Sequence, residues 1–270
     1  MWLPWDIAAV GALLCFAFAG AAVRINAKAL PVSAVLREVG VVASLYALWQ
    51  LAGRLSVVHL EGAIDRGQQL WDLERTLHLP NEAGWQAVLL PHSWLVKGAN
   101  IYYAGAHVPV MGVFLVWLFF RHRTTYRPWR TAVGWVTGVC LVIQLLPVAP
   151  PRLVPGIAIA DTAVLYGQSV YSTFNGTGAG QLQAMPSIHV AWAVLIGWAV
   201  WRESDSRWRW IGWAHAAMTT YVVAVTGNHY WADGLVAALI LMVIRAIQTP
   251  SGSAKKKAKP ASAAEAALPV

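Results

Sequence analysis

Two short stretches hold the residues best suited to chemistry. In TGNHYWADG, 226 to 234, His229 and Asp233 stand four apart, a spacing that on a helix puts both on one face. The carboxylate can then accept the proton of one imidazole nitrogen and fix the tautomer, leaving the other nitrogen free to attack. In QAMPSIHVAWA, 183 to 193, Pro186, Ser187 and His189 stand where an apolar run opens. Proline suits the first turn of a helix, where its missing N–H would have been unpaired. The free N–H groups of that turn and the positive end of the helix dipole make an anion site beside His189, most naturally for a phosphate. Ser187 either adds a hydroxyl donor there or caps the helix.

The elements that must position these residues are membrane spans. Of the 270 residues 58% are hydrophobic and 12% charged, the composition of a polytopic membrane protein rather than a soluble domain. Runs of about 17 to 23 mainly apolar residues, enough to cross a hydrocarbon core, begin near Ile7, Leu36, Ile101, Thr131, Ile188, Trp210 and Trp231. The expected fold is therefore an all-α polytopic bundle of about seven transmembrane helices. Tryptophans at the ends of these runs, Trp117, Trp129, Trp201, Trp208, Trp210 and Trp231 among them, are expected at the headgroup level. The first run lacks a basic leader and is followed by Arg24 and Lys28, so it reads as a retained span rather than a signal peptide. Cys15 and Cys140 both fall inside apolar runs and indicate neither a disulfide framework nor a cysteine metal site.

A formal charge of +8 could point to nucleic acid, but the basic residues sit in short connections. Arg24, Lys28 and Arg37, the segment RHRTTYRPWR (121 to 130), Arg202 with Arg207 and Arg209, and KKKAK (255 to 259) are expected on the cytoplasmic face. The segments 59 to 100, 147 to 187 and 227 to 230 then lie outside. The first of these opens with a stretch, 61 to 80, in which Ile64, Leu70, Leu73 and Leu77 recur among charges; it is expected to be an interfacial amphipathic helix. His92 and His107, further on, read as interfacial or structurally bonded histidines. In the second segment prolines 147, 150, 151 and 155 end the fourth span and hold Arg152 just outside the membrane, and the glycines of FNGTGAGQ allow a sharp turn before the fifth span. The tail from Thr249 lacks a pattern that could pack and is expected to be disordered. Residues 1 to 30 read as an extra N-terminal span, 31 to 248 as the catalytic membrane domain and 249 to 270 as the tail. This topology brings His189, His229, Asp233 and Arg152 to one face.

At these residues the chain resembles the type 2 phosphatidic acid phosphatase (PAP2) superfamily, and within it the branch of inositol phosphorylceramide synthases and their bacterial relatives. The family's P-S-x-H motif matches Pro186, Ser187 and His189, and its terminal H-x-x-x-D motif matches His229 and Asp233. GNHY (227 to 230) and PPR (150 to 152) resemble the synthase branch. Ile188 stands where many family phosphatases have glycine, and Val222 and Val223 where many have Ser-Arg. RHRTTYRP echoes the family's K-x6-R-P motif, but Arg121 and Arg127 are one residue too close together and lie on the cytoplasmic side.

The resemblance implies a six-helix core and a two-step transfer through phosphohistidine. His229, oriented by Asp233, attacks phosphorus; His189 protonates the departing oxygen and then deprotonates the acceptor. Arg152 and the first-turn amides, with Ser187, bind the phosphate, and no metal or other cofactor is required. The expected protein is a phosphotransferase of the cytoplasmic membrane that moves a phosphorylated headgroup, such as phosphoinositol, between lipids, with its site on the extracytoplasmic face. A lipid phosphate phosphatase using water is the alternative, and a non-catalytic phospholipid transporter or scaffold the second. The sequence leaves oligomeric state open.

Overall fold

The computed structural model describes residues 4–25, 30–55, 62–169 and 179–248. Among these residues the chain is all-α, with α1 (Trp5–Ile25), α2 (Leu30–Leu55), α3 (Ala63–Thr76), α4 (Glu82–Leu89), α5 (Ser93–Gly105), α6 (His107–Arg121), α7 (Arg123–Ile143), α8 (Thr162–Leu165), α9 (Ile188–Glu203), α10 (Trp210–Val225) and α11 (Trp231–Gln248). The tail from Thr249 and most of FNGTGAGQ lie outside the described residues.

Among the described residues three helices are long and apolar enough to cross a membrane: α1, α2 over Leu30–Leu51, and α11. A fourth is gained if α5 and α6, bent by 52° where they meet, form one broken span. The other three apolar runs give helices that fall short. Helices α9 and α10 have 16 residues each, a rise of roughly 24 Å, and α7 has Arg123, Arg127 and Arg130 in its first turns. Three or four spans thus stand where the apolar runs count seven.

The core forms where α6, α7, α9 and α11 meet, around Leu118, Trp129, Val136, Leu195 and Leu241. Helices α4 and α5 close against α10 through Leu89, Val96, Val222 and Val225. Helices α1 and α2 pack on each other through small residues, with the Ser33 hydroxyl donating to the Ala19 carbonyl at 2.9 Å. They are tied to the rest by Glu38 of α2, which accepts from Arg130 at 2.9 Å and from the Tyr126 hydroxyl at 2.8 Å on α7.

Trp129, expected in an interfacial belt, is instead a core residue. It is 1% exposed, donates its indole N–H to Glu203 at 2.8 Å and lies under Arg245. Trp208 and Trp210 are exposed, as a belt requires. The amphipathic helix forms as α3, but its faces differ from a simple apolar-in pattern. Ala63, Gly67, Leu70 and Glu74 face the protein, while Ile64, Leu73 and Leu77 are exposed. The reason is local: α3 covers a polar site rather than a greasy core, so it turns a carboxyl group and a glycine inward.

Candidate active site

The site is assembled at one end of the bundle by backbone pairing between segments remote in sequence. Pro147 ends the fourth apolar run, and the following residues pair with the segment ahead of α9: Val148 donates to the Leu182 carbonyl at 2.8 Å and accepts from Ala184 N at 3.1 Å. On its other side this strap meets α3, with Ala149 N donating to the Ala63 carbonyl at 2.9 Å and the Arg66 Nε donating to the Pro147 carbonyl at 2.6 Å. The approach is close enough that a Cβ at Gly67 would lie 2.6 Å from the Ala149 carbonyl.

Pro186 does not begin α9. Ser187 is the cap, accepting from Val190 N at 3.3 Å, so the helix opens at Ile188 and Pro186 precedes the cap. The Pro186 carbonyl accepts from Gln144 at the end of α7 at 2.9 Å. Ser187 is fully buried, and its N–H donates to the Asp233 carbonyl at 3.2 Å. That bond is one of several that join the two motif stretches.

His229 lies in the turn between α10 and α11. Its Nδ1 lies 2.7 Å from the Ala184 carbonyl and 3.2 Å from Asp233 Oδ2. A carbonyl only accepts, so Nδ1 carries the proton and Nε2 the lone pair. Nε2 is 3.3 Å from Nδ1 of His189, with ring centroids 5.5 Å apart. Asp233 Oδ2 also accepts from Tyr230 N at 2.9 Å. Burial pulls the His229 imidazole down from its usual value to about 4; the Ala184 carbonyl works against this and the Arg152 charge with it. The nucleophilic form is thereby the resting form.

Arg152 sits in a 3-10 turn, Pro151–Leu153, and its side chain is 1% exposed. Its Nε donates to Asp161 at 3.0 Å and its Nη2 to Gln181 at 3.4 Å. Its N–H donates to the Gly227 carbonyl at 3.2 Å, two residues from His229. Gly227 has φ +68, and a Cβ there would lie 2.6 Å from Ile159 and 3.0 Å from the Arg152 Cβ; only glycine lets the two strands meet.

Four further side chains complete the site, and of these the place of Glu74 and Glu82 was not foreseen. His107, at the junction of α5 and α6, is buried with its ring 4.3 Å from that of His189, and Tyr103 packs on the same imidazole at 4.9 Å. Glu74 of α3 and Glu82 of α4, both fully buried, cap α11: Glu74 accepts from Ala232 N at 2.7 Å and Glu82 from Trp231 N at 3.3 Å. Arg75 bridges them, at 3.5 Å and 3.0 Å. Burial raises the Glu74 carboxyl to about 9, with a side-chain hydrogen bond to Glu82 acting the same way and the Ala232 amide opposing it. The spacing E-x7-E offers no periodic hint of this convergence, and a histidine in an apolar context gives none either. His92, by contrast, is exposed at the start of α5. Arg121 and Arg127 lie at the far end: from Arg127 to Gln144, the residue beside Pro186, is roughly 25 Å along the α7 axis. Among the described residues no group of three or more His, Cys, Asp or Glu side chains is arranged to hold a metal ion.

Two imidazoles, one with its lone pair fixed by a carbonyl and a carboxylate, beside a buried guanidinium and a helix N-terminus, can carry out nucleophilic displacement at an anionic centre. Comparison with known proteins points the same way: the family model described as PAP2 superfamily matches residues 68–247. No curated protein and no solved structure matches the chain.

Proposed function

This chain belongs to the PAP2 superfamily, and from that premise we propose that it is a membrane lipid phosphotransferase working through a phosphohistidine. Membership implies phosphatase- or phosphotransferase-type activity on lipid phosphates; the transfer reaction, the residues and the topology are our reading. The observation that carries it is the pairing of His229 Nε2 with His189 Nδ1 at 3.3 Å, with the proton of His229 held on the other nitrogen.

In the proposed first step His229 Nε2 forms a bond to phosphorus, the ester bond to the lipid alcohol breaks, and His189 gives its proton to the departing oxygen. In the second, His189 takes the proton of the acceptor hydroxyl as that oxygen attacks phosphorus and the N–P bond breaks. Arg152 and the amides of Ile188 and His189 balance the equatorial charge. In-line displacement puts nucleophile and leaving oxygen on opposite sides of phosphorus, so the two nitrogens must separate when substrate enters. Ser187 acts here through its cap, by holding those amides in place.

Transfer to a lipid acceptor is favoured over hydrolysis by two features. Arg152 stands in a P-P-R turn, and Val222 and Val223 are buried apolar residues where a Ser-Arg pair is found in many family phosphatases. We place the site outside the cytoplasmic membrane in a seven-span bundle. Support comes from helix polarity: Arg123, Arg202, Arg209 and Arg245 all lie at the helix ends away from His189 and His229, as the positive-inside rule requires.

The test is purified protein with phospholipid labelled in its headgroup phosphate. A new labelled lipid is expected; free phosphate alone would make it a phosphatase, and neither product would overturn the reading. His229→Ala is expected to lose at least about 10³-fold in turnover together with any acid-labile phosphoryl adduct.

A further inference from the structure

Among the described residues His107 packs directly on a proposed catalytic ring yet has no part in the proposed reaction, and its surroundings ask for a ligand. It opens α6 at the bend with α5. Nδ1 lies 3.1 Å from the Tyr103 carbonyl, which can only accept, so the proton is on Nδ1 and Nε2 is the atom left over. Nε2 is buried and has no hydrogen-bond partner; a buried polar atom in that state calls for an explanation. The neighbouring Tyr102 hydroxyl does not supply one, being within 2.7 Å of His215 Nδ1 and 2.9 Å of the Thr219 hydroxyl. The His107 ring meets that of His189 edge to face at 4.3 Å, so the orphan nitrogen belongs to a ring packed on the imidazole that the proposed reaction sets beside phosphorus.

We propose that His107 is a third histidine of the phosphate site, binding one phosphoryl oxygen through a proton shared between that oxygen and Nε2. This rests on the reading of the site given above. The ionisable groups that act on or touch His107 are His189 of α9, His215 of α10, His229 of the turn before α11, and Tyr102 and Tyr103 of α5. None is a carboxylate. Among the described residues no carboxylate therefore balances a charge on His107, and the partner that can do so is the bound anion itself. A phosphate monoester brings a proton of its own; a diester or dianion lets His107 take one from water. Either way a single proton bridges nitrogen and oxygen, a charge-assisted contact. His107 is thus a substrate-binding residue that senses the protonation of its ligand.

The probe is inorganic vanadate, with binding to the purified full-length protein followed by vanadium NMR and proton uptake followed by calorimetry in buffers of different ionisation enthalpy. His107→Phe keeps the ring volume, and His107→Gln keeps a polar donor should the first variant fail to fold. At a pH where free vanadate is the dianion, its affinity is expected to fall by about tenfold or more in either variant, with the proton taken up by the wild type on binding lost in both. Unchanged affinity and unchanged proton uptake in a folded variant would overturn the proposal. The adduct on His229 keeps the two ideas separate. If the wild type forms no acid-labile phosphoryl adduct that His229→Ala abolishes, the reading of the site fails; if it does, and the His107 variants bind as wild type, only this inference fails.

Discussion

His229 has two acceptors near one nitrogen, and the backbone carbonyl of Ala184, at 2.7 Å, is closer than Asp233, at 3.2 Å. Where an aspartate alone sets the tautomer of a catalytic histidine, its amide costs about 10⁴-fold in turnover. Asp233→Asn is expected to cost only about 10²-fold, because Ala184 keeps the proton on Nδ1; steady-state rates of the variant check this. The depressed pKa gives a second outcome. Between about 6.5 and about 4 the unfolded chain binds the proton that native His229 refuses. This residue's contribution to stability is thus present above the unfolded value and lost as pH falls through about 4. The acid limb of kcat/KM due to the nucleophile belongs near 4 as well, and a limb at 6.5 in a pH–rate profile would contradict it. At Gly227, with φ +68 and Ile159 in the way, Gly227→Ala should cost about 1–3 kcal/mol and displace Arg152, a loss that thermal melts in the detergent-solubilised protein would register.

At the scale of elements, the N-terminus of α11 matters most, since it fixes the turn carrying His229. Three successive amides, of Tyr230, Trp231 and Ala232, are taken by Asp233, Glu82 and Glu74. Glu74→Gln keeps the acceptor for Ala232 and a donor for Glu82, so turnover at neutral pH should be close to that of wild type. Glu74 has its pKa raised above the unfolded value, so its contribution is full below about 4.5 and lost as pH rises through about 9. Glu74→Gln should therefore gain melting temperature relative to wild type as pH climbs from 5 to 9, by the argument from linkage. Glu82→Ala leaves Trp231 N without its acceptor and Arg75 without the nearer of its two carboxyl partners, and should cost about 1–3 kcal/mol with a matching drop in turnover. Helices α3 and α4 are thus supports of the site as well as a covering on its surface.

The whole molecule is polarised along the bundle. His189, His229 and Arg152 gather at one end, and at the other Glu203 accepts from the Thr125 hydroxyl and the Trp129 indole. If the bundle sits as proposed, a cysteine introduced at Asn81 should react with an impermeant maleimide added outside cells, whereas one at Ser206 should react only after permeabilisation. The reverse pattern would place the site in the cytoplasm.

The residues that make the family recognisable, and the helical character of nearly every apolar run, could be read directly, because i,i+4 spacing and sustained hydrophobicity are local properties of a chain. His229 and Asp233 do meet, though His229 stands in the turn ahead of α11 and not on its face, so the turn as well as the spacing makes that pair. What only the fold decided are contacts between segments far apart in sequence. Ala184 reaches His229 because Val148 pairs with its strand; Glu74 and Glu82 reach α11 because Gly67 lets α3 lie against the Pro147 strap; His107 reaches His189 because two helices bend at Ala106. None of these leaves a periodic mark, since each partner was placed by packing among remote elements rather than by its neighbours along the chain. The amino-acid order thus specified the reagents, and the tertiary structure determined which polar groups hold them in register.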